Sequence, residues 1–169
     1  MQKVAIFGKP GGGKSTLAKA LASSQGLALH PLDLIEFKTN GERVDRVEFD
    51  RLHDSILNND QWIIDGMGHR EAFAKRLAAA DTLIYIDLPY ASSHWFVTKR
   101  FLKSLFAKPE GWPEGSSVLK GTIASYKTLR LCPQFWNDAF VNRLQKMADD
   151  KQLIIINSVK EMNAFMRQH

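Results

Sequence analysis

The sequence predicts a three-layer α/β fold in which a five-stranded parallel sheet is covered by helices on both faces. Two observations carry this reading. First, short and nearly continuous apolar runs recur near 4–7, 27–32, 61–64, 82–88 and 152–156, separated by longer stretches whose apolar residues repeat every three or four positions. Strands buried on both faces lose the polar–apolar alternation of a half-exposed sheet, and helices between them supply the crossovers that parallel strands need. Second, Gly8-Lys9-Pro10-Gly11-Gly12-Gly13-Lys14-Ser15 joins the first apolar run to a helical pattern and fits G-x-x-x-x-G-K-[ST] without a departure.

That turn is a phosphate site by its chemistry. Its glycines let successive backbone N–H groups face an anion, and the following helix adds its own unsatisfied N-terminal donors. Lys14 then reaches the outer phosphates as a positive charge, and the Ser15 hydroxyl can sit on a magnesium ion. Gly8, Lys9, Pro10, Gly11, Gly12, Gly13, Lys14, Ser15 and Thr16 therefore form the expected nucleotide-binding set. The reaction stays open at this point, since kinases, ATPases and GTPases share such a loop.

Composition narrows the class. With 169 residues, 44% hydrophobic and 24% charged, the chain reads as one compact globular domain spanning 1–169 and not as a disordered segment. No apolar run approaches the roughly 18 residues of a membrane span, and the apolar segment after Met1 leads into the phosphate turn, so a cytoplasmic protein without membrane contact is expected. Cys132 is the sole cysteine, which excludes an intramolecular disulfide and a cysteine-held metal. The five histidines show no ligand spacing, so any metal should arrive with the nucleotide. The net charge of +5 suits a polyanionic substrate; nucleic acid has only this balance behind it, with no zinc-finger spacing or aromatic RNA-reading motif. Oligomeric state is not legible from these features.

Val4–Phe7 reads as a central strand, and the helix from Lys14 to about Ser24 turns Leu17, Ala18 and Leu21 toward the sheet. A second strand ends near Pro31, which removes a ladder donor. Asp33 follows that end, on the edge where open α/β sheets place ligands. There it can take a proton from an acceptor hydroxyl, orient that hydroxyl, or hold magnesium through water; capping the next helix is the bland alternative. Residues 34–44 read as a loop or broken helix, and 45–58 as a helix with Phe49, Leu52 and Ile56 on one face and Arg43, Arg46 and Arg51 available elsewhere. The 34–60 segment is placed to cover an acceptor.

Gln61–Gly66 reads as a buried strand ending in Asp65, which either completes the magnesium shell begun by Ser15 or forms a turn. A helix over 71–80 follows, with Phe73, Leu77 and Ala80 toward the core. Arg70 at its start opposes the helix dipole, which points to a substrate phosphate or an acidic partner; His69 is either a base or a polar loop residue. After the strand at 81–89, a helical pattern carries Trp95, Phe96, Phe101, Leu102 and Leu105 as an aromatic core stripe, with Lys99, Arg100 and Lys103 between them. Arg100 first, then Lys99, would neutralise charge on a transferring phosphoryl group. The loop at 108–117, containing Trp112, would form the tip of a lid spanning 99–130, and 119–131 and 134–148 read as a helical hairpin bent at Pro133. A fifth strand over 152–157 precedes a last helix whose Ser158 and Glu161 form a capping box and whose Met162, Phe165 and Met166 dock it.

GKPGGGKST at 8–16, HPLD at 30–33, QWIIDG at 61–66, Arg70, and DTLIYIDLP at 81–89 together resemble the adenylate kinase-like branch of the nucleoside and nucleotide kinases. The likeness is greater to the bacterial group called DNA topology modulation proteins, or FlaR-like proteins. This resemblance implies strand order 2-3-1-4-5 with attached acceptor-covering and lid segments. It implies Asp65 near magnesium, Arg70 near a substrate phosphate, Arg100 and Arg130 on phosphate from the lid side, and Asn157 to Lys160 near the base. Gly68-His69 stands where adenylate kinases carry proline immediately before the arginine, which weighs against AMP as acceptor. The expected function is ATP- and magnesium-dependent phosphoryl transfer to an unidentified small hydroxyl or phosphate acceptor, with nucleosides and nucleotides among the candidates. The alternative is an ATP-dependent regulatory or DNA-associated protein that affects DNA topology.

Overall fold

The computed structural model describes residues 1–38, 42–104, 106 and 117–169. β1 (Lys3–Gly8) leads through the phosphate turn into α1 (Lys14–Gln25), followed by β2 (Leu29–Pro31), α2 (Leu32–Glu36) and α3 (Arg46–Leu57). Next come β3 (Trp62–Asp65), α4 (Arg70–Ala79), β4 (Thr82–Ile86), α5 (Tyr90–Ser104) and α6 (Val118–Leu131). A 3₁₀ turn (Cys132–Gln134), α7 (Asp138–Met147), β5 (Gln152–Ile156) and α8 (Val159–Gln168) complete the chain. The strands are all parallel and ordered β2-β3-β1-β4-β5, the order implied by the kinase resemblance.

Alternate residues of the central strands serve two cores. Val4, Ile6, Ile63, Ile84 and Ile86 pack with Leu17, Ala18 and Leu21 of α1 and Met162 of α8. Ala5, Phe7, Trp62, Ile64, Leu83 and Tyr85 face the other layer, where they meet Leu32, Phe49, Leu77, Val97, Leu129, Trp136 and Leu144. Phe7 stacks on Tyr85 and Trp136, and Phe140 meets Trp136 edge to face with ring centroids 4.7 Å apart. Such contacts contribute about 0.5–1.5 kcal/mol per pair beyond area burial.

Several sequence expectations shift in detail. α2 starts one residue after β2, so Asp33 lies inside its first turn and the capping position falls to Pro31. From Glu36 the chain doubles back through a Phe37–Arg43 bridge, whose tip at 39–41 lies outside the described residues. α7 begins later than the expected 134, because Asn137 accepts the Phe140 N–H with its side chain and leaves Trp136 free to enter the core. In α5 the expected aromatic stripe is buried only in part: Phe96 packs against the core beside α1 and Phe101 is half-buried, but Trp95 and Leu102 are exposed, and Ser93 and Val97 are the buried positions. The reason is close packing of α5 on the phosphate turn, where only small or slender side chains fit. Leu105 and 108–116 of the expected lid tip, including Trp112, lie outside the described residues; Ser117 caps α6. Among the described residues no helix is long and apolar enough to cross a membrane.

Candidate active site

Parallel strands end together on one edge, and the register brings Ile6 beside Asp65 and Gly8 beside Ile86. The turn between β1 and α1 therefore rises between the ends of β3 and β4. Gly11 has φ of 74°, and a methyl group there would come 2.4 Å from the Ser93 carbonyl oxygen. Any side chain would push the turn off α5.

Lys14 opens α1 and donates from Nζ to the Lys9 carbonyl at 2.9 Å. Burial pushes its pKa down, while the nearby carboxylates of Asp65 and Asp33 oppose that and Arg100 adds to it. Ser15 donates from Oγ to Asp65 Oδ2 at 2.7 Å, and Asp65 Oδ1 is buried without a hydrogen-bond partner among the described residues. Burial raises the Asp65 pKa; the Lys14 ammonium and the Ser15 hydroxyl act against it. A buried carboxylate oxygen left open beside a hydroxyl fits a hydrated magnesium ion, which binds through one or two protein oxygens plus phosphate and water. Ser15 and Asp65 would hold it.

Lys9 behaves differently from its neighbours. Its side chain is 4% exposed, pairs with Asp87 just beyond β4, and places Nζ 4.6 Å from the centre of the Tyr90 ring. It thus anchors the turn through its side chain, while its backbone carbonyl accepts from the Gly12 N–H and from Lys14 Nζ.

A shikimate kinase from Acinetobacter baumannii, solved with shikimate, superposes with a TM-score of 0.58 at 13% identity, covering 99% of this chain and 90% of that one. The fold is the phosphate-loop NTPase fold. A sugar kinase from Janibacter sp. gives a TM-score of 0.48 at 15% identity over 99% of this chain and 91% of that one. No family model matches the chain, and no curated protein matches it in sequence.

On this phosphate-loop fold, Asp33 is exposed on α2 but close enough to influence Lys14, Asp65, Glu36 and Arg100. Arg100 donates from Nη2 to Ser125 Oγ of α6 at 3.0 Å; burial lowers its pKa and Asp33 opposes the shift. Lys14, Ser15, Asp65, Asp33 and Arg100, expected from separate stretches, thus form one electrostatic group. Thr16 is exposed in the first turn of α1. Arg70, at the first position of α4, and Arg130, in the last turn of α6, are also exposed. Asn157 follows β5, and its N–H donates to Glu161 Oε2 at 2.8 Å within the expected capping box.

His69 caps α4. Its Nδ1 accepts the Ala72 N–H at 3.3 Å and its Nε2 lies 2.6 Å from Asp50 Oδ1, so the ring proton sits on Nε2 and both nitrogens are engaged. That geometry is a helix-start residue's, not a free base's. Three neighbours escaped sequence reasoning. Glu36, one helical turn beyond Asp33, pairs with Arg43 at 3.2 Å, and burial raises its pKa. Asp87 was visible only as the acid ending an apolar run. Arg76 is fully buried beneath the turn after Asp65, and burial pulls its pKa down to about 10. Its place beside Phe73 and Leu77 on the core face was its only signal.

Proposed function

We propose that this protein transfers the terminal phosphoryl group of ATP, with magnesium, to a small hydroxyl or phosphate acceptor in the cytoplasm. The observation that carries the reading is the Ser15–Asp65 hydrogen bond beside Lys14, with Asp33 facing the same group. The likeness to adenylate kinase-like and FlaR-like sequences supports it, as does the fold.

The turn's N–H groups and Lys14 bind the β- and γ-phosphates. Asp33 orients the acceptor hydroxyl and receives its proton as the oxygen bonds to the γ-phosphorus and the bond to the bridging oxygen of ADP breaks. Arg100 offsets charge on the transferred group. Magnesium, when bound, neutralises charge on the β- and γ-oxygens. With a phosphate acceptor, Asp33 orients a sugar hydroxyl instead, or would orient water on the magnesium that Ser15 and Asp65 would hold. Arg70 and Arg130 extend the cationic surface toward phosphates, Asn157 borders the base, and 34–60 and 99–130 act as acceptor cover and lid.

The test is a panel of nucleosides, nucleoside monophosphates, shikimate, gluconate, glycerol and duplex DNA, each with ATP and magnesium, with phosphorylated product measured as well as ADP. Stoichiometric product on one small molecule supports the proposal. ADP released only when DNA is present favours an ATP-driven switch on DNA, and no turnover with any member overturns the kinase reading.

A further inference from the structure

Directly after Asp65 the chain makes the turn Gly66-Met67-Gly68-His69 into α4. One side of it rests on the acceptor-covering elements: a methyl group at Gly66 would meet Leu32 Cβ of α2 at 3.0 Å, and one at Gly68 would meet Phe49 of α3 at 3.4 Å. The other side is held by Arg76. Its Nη2 donates to the Gly66 carbonyl at 2.7 Å and to the Met67 carbonyl at 3.0 Å.

A guanidinium with no exposure is a costly way to close a turn, since burying a charge demands compensation that an apolar residue would not need. Among the described residues Nε and Nη1 remain buried without hydrogen-bond partners, so its hydrogen bonds are concentrated on those two carbonyls. Their orientation has a geometric consequence. In a planar trans peptide the N–H points opposite to the C=O, so drawing the carbonyls of residues 66 and 67 toward Arg76 turns the N–H groups of Met67 and Gly68 away from it. Neither N–H meets an acceptor among the described residues.

We propose that Arg76 is a positioning residue for phosphoryl transfer: it holds the turn after Asp65 with two backbone donors directed outward, on the side bordered by α2 and α3. The inference rests on the kinase reading. Arg76 is fully buried and acts on the acceptor side through the turn.

Arg76→Met removes both hydrogen bonds, and Arg76→Lys keeps the charge with reach for one carbonyl. Both variants are compared with wild type by thermal melting, backbone ¹⁵N relaxation, binding of a fluorescent ATP analogue with magnesium, and kinetics on the panel member phosphorylated best. The order parameters at Met67 and Gly68 should fall from about 0.85 to below about 0.6 in Arg76→Met, the range that separates rigid from flexible backbone. The acceptor KM should rise at least about tenfold while analogue affinity stays within about twofold, with Arg76→Lys recovering part of the loss; a tenfold change corresponds to about 1.4 kcal/mol.

Unchanged order parameters would overturn the proposal. So would an equal loss for nucleotide and acceptor, or failure of both variants to fold, which would assign Arg76 to stability alone. If no panel member is phosphorylated, the kinase reading falls by itself, and the order parameters still decide whether Arg76 holds the turn.

Discussion

Asp33 and His53 show how position alone gives a titratable side chain its meaning. Asp33 is exposed and within electrostatic reach of Lys14 and Arg100, and its one structural contact among the described residues is made by its backbone carbonyl, which accepts the Phe37 N–H and would be kept in an Asn variant. Asp33→Asn should therefore lower kcat on a hydroxyl acceptor by about 10²-fold or more, the low end of a general base's contribution, and leave ATP affinity unchanged in a binding assay. His53 is the opposite case: it has no exposure, neither ring nitrogen has a hydrogen-bond partner among the described residues, Nδ1 lies 3.7 Å from Asp54 Oδ1, and burial, with help from Arg76 and against Asp54, pushes its pKa down to about 4. A depressed histidine is neutral in the folded state while the unfolded chain takes up a proton near pH 6.5. Its neutral form is thus fully tolerated above that pH, and stability drains as pH falls from about 6.5 toward 4, by up to about 3 kcal/mol. Urea unfolding at pH 7 and pH 4.5 should show a smaller acid loss for His53→Phe than for wild type. The chain carried one signal of each burial, a polar side chain at a core-face spacing: His53 falls between Phe49 and Ile56, and Arg76 between Phe73 and Ala80.

At the scale of elements, the strands and most helices follow from pattern, since each strand is an apolar run and each long helix has a three-four repeat. The misreading of α5 has a physical origin. Trp95, Phe96, Phe101 and Leu102 look like one core face, yet the side of the helix that meets the backbone of the phosphate turn admits only Ser93 and Val97, and Trp95 and Leu102 are left exposed. Two glycines of this region separate packing from backbone strain. Gly11→Ala meets both a positive φ and the Ser93 carbonyl, so nucleotide-analogue affinity should fall at least about tenfold, with a loss of roughly 1–3 kcal/mol in stability. Gly26, which ends α1 at φ 67° with nothing within 4 Å of an added methyl, carries strain alone. Gly26→Ala should cost about 1 kcal/mol in denaturant unfolding and leave nucleotide binding intact.

Over the whole molecule, strand order was accessible through family likeness and not through periodicity, since a crossover leaves no mark on the strands it connects. The loop residues and Asp65 were legible because a phosphate cradle is a local motif followed by an acid at a strand end. Glu36, Asp87 and Arg76 belong to the site by folding alone. If that site binds nucleotide, the entire domain should feel it. Magnesium-ATP at a hundredfold excess over Kd adds about 2.7 kcal/mol by mass action, which for a chain of this size raises Tm by about 5–10 °C. Lys14→Ala should melt near the unliganded wild type and lose most of that increment; an equal increment in both proteins would place ATP elsewhere.

Lys9 beneath the turn bears on how such motifs are compared. Two lysines stand in the same eight-residue stretch, but one is already neutralised by Asp87 and roofed by Tyr90. A visiting triphosphate consequently meets a weaker field than a tally of formal charges would assign. A fall in ATP affinity after exchanging Lys9 for an apolar residue would therefore come from the Asp87 carboxylate left unpaired, not from the ammonium removed.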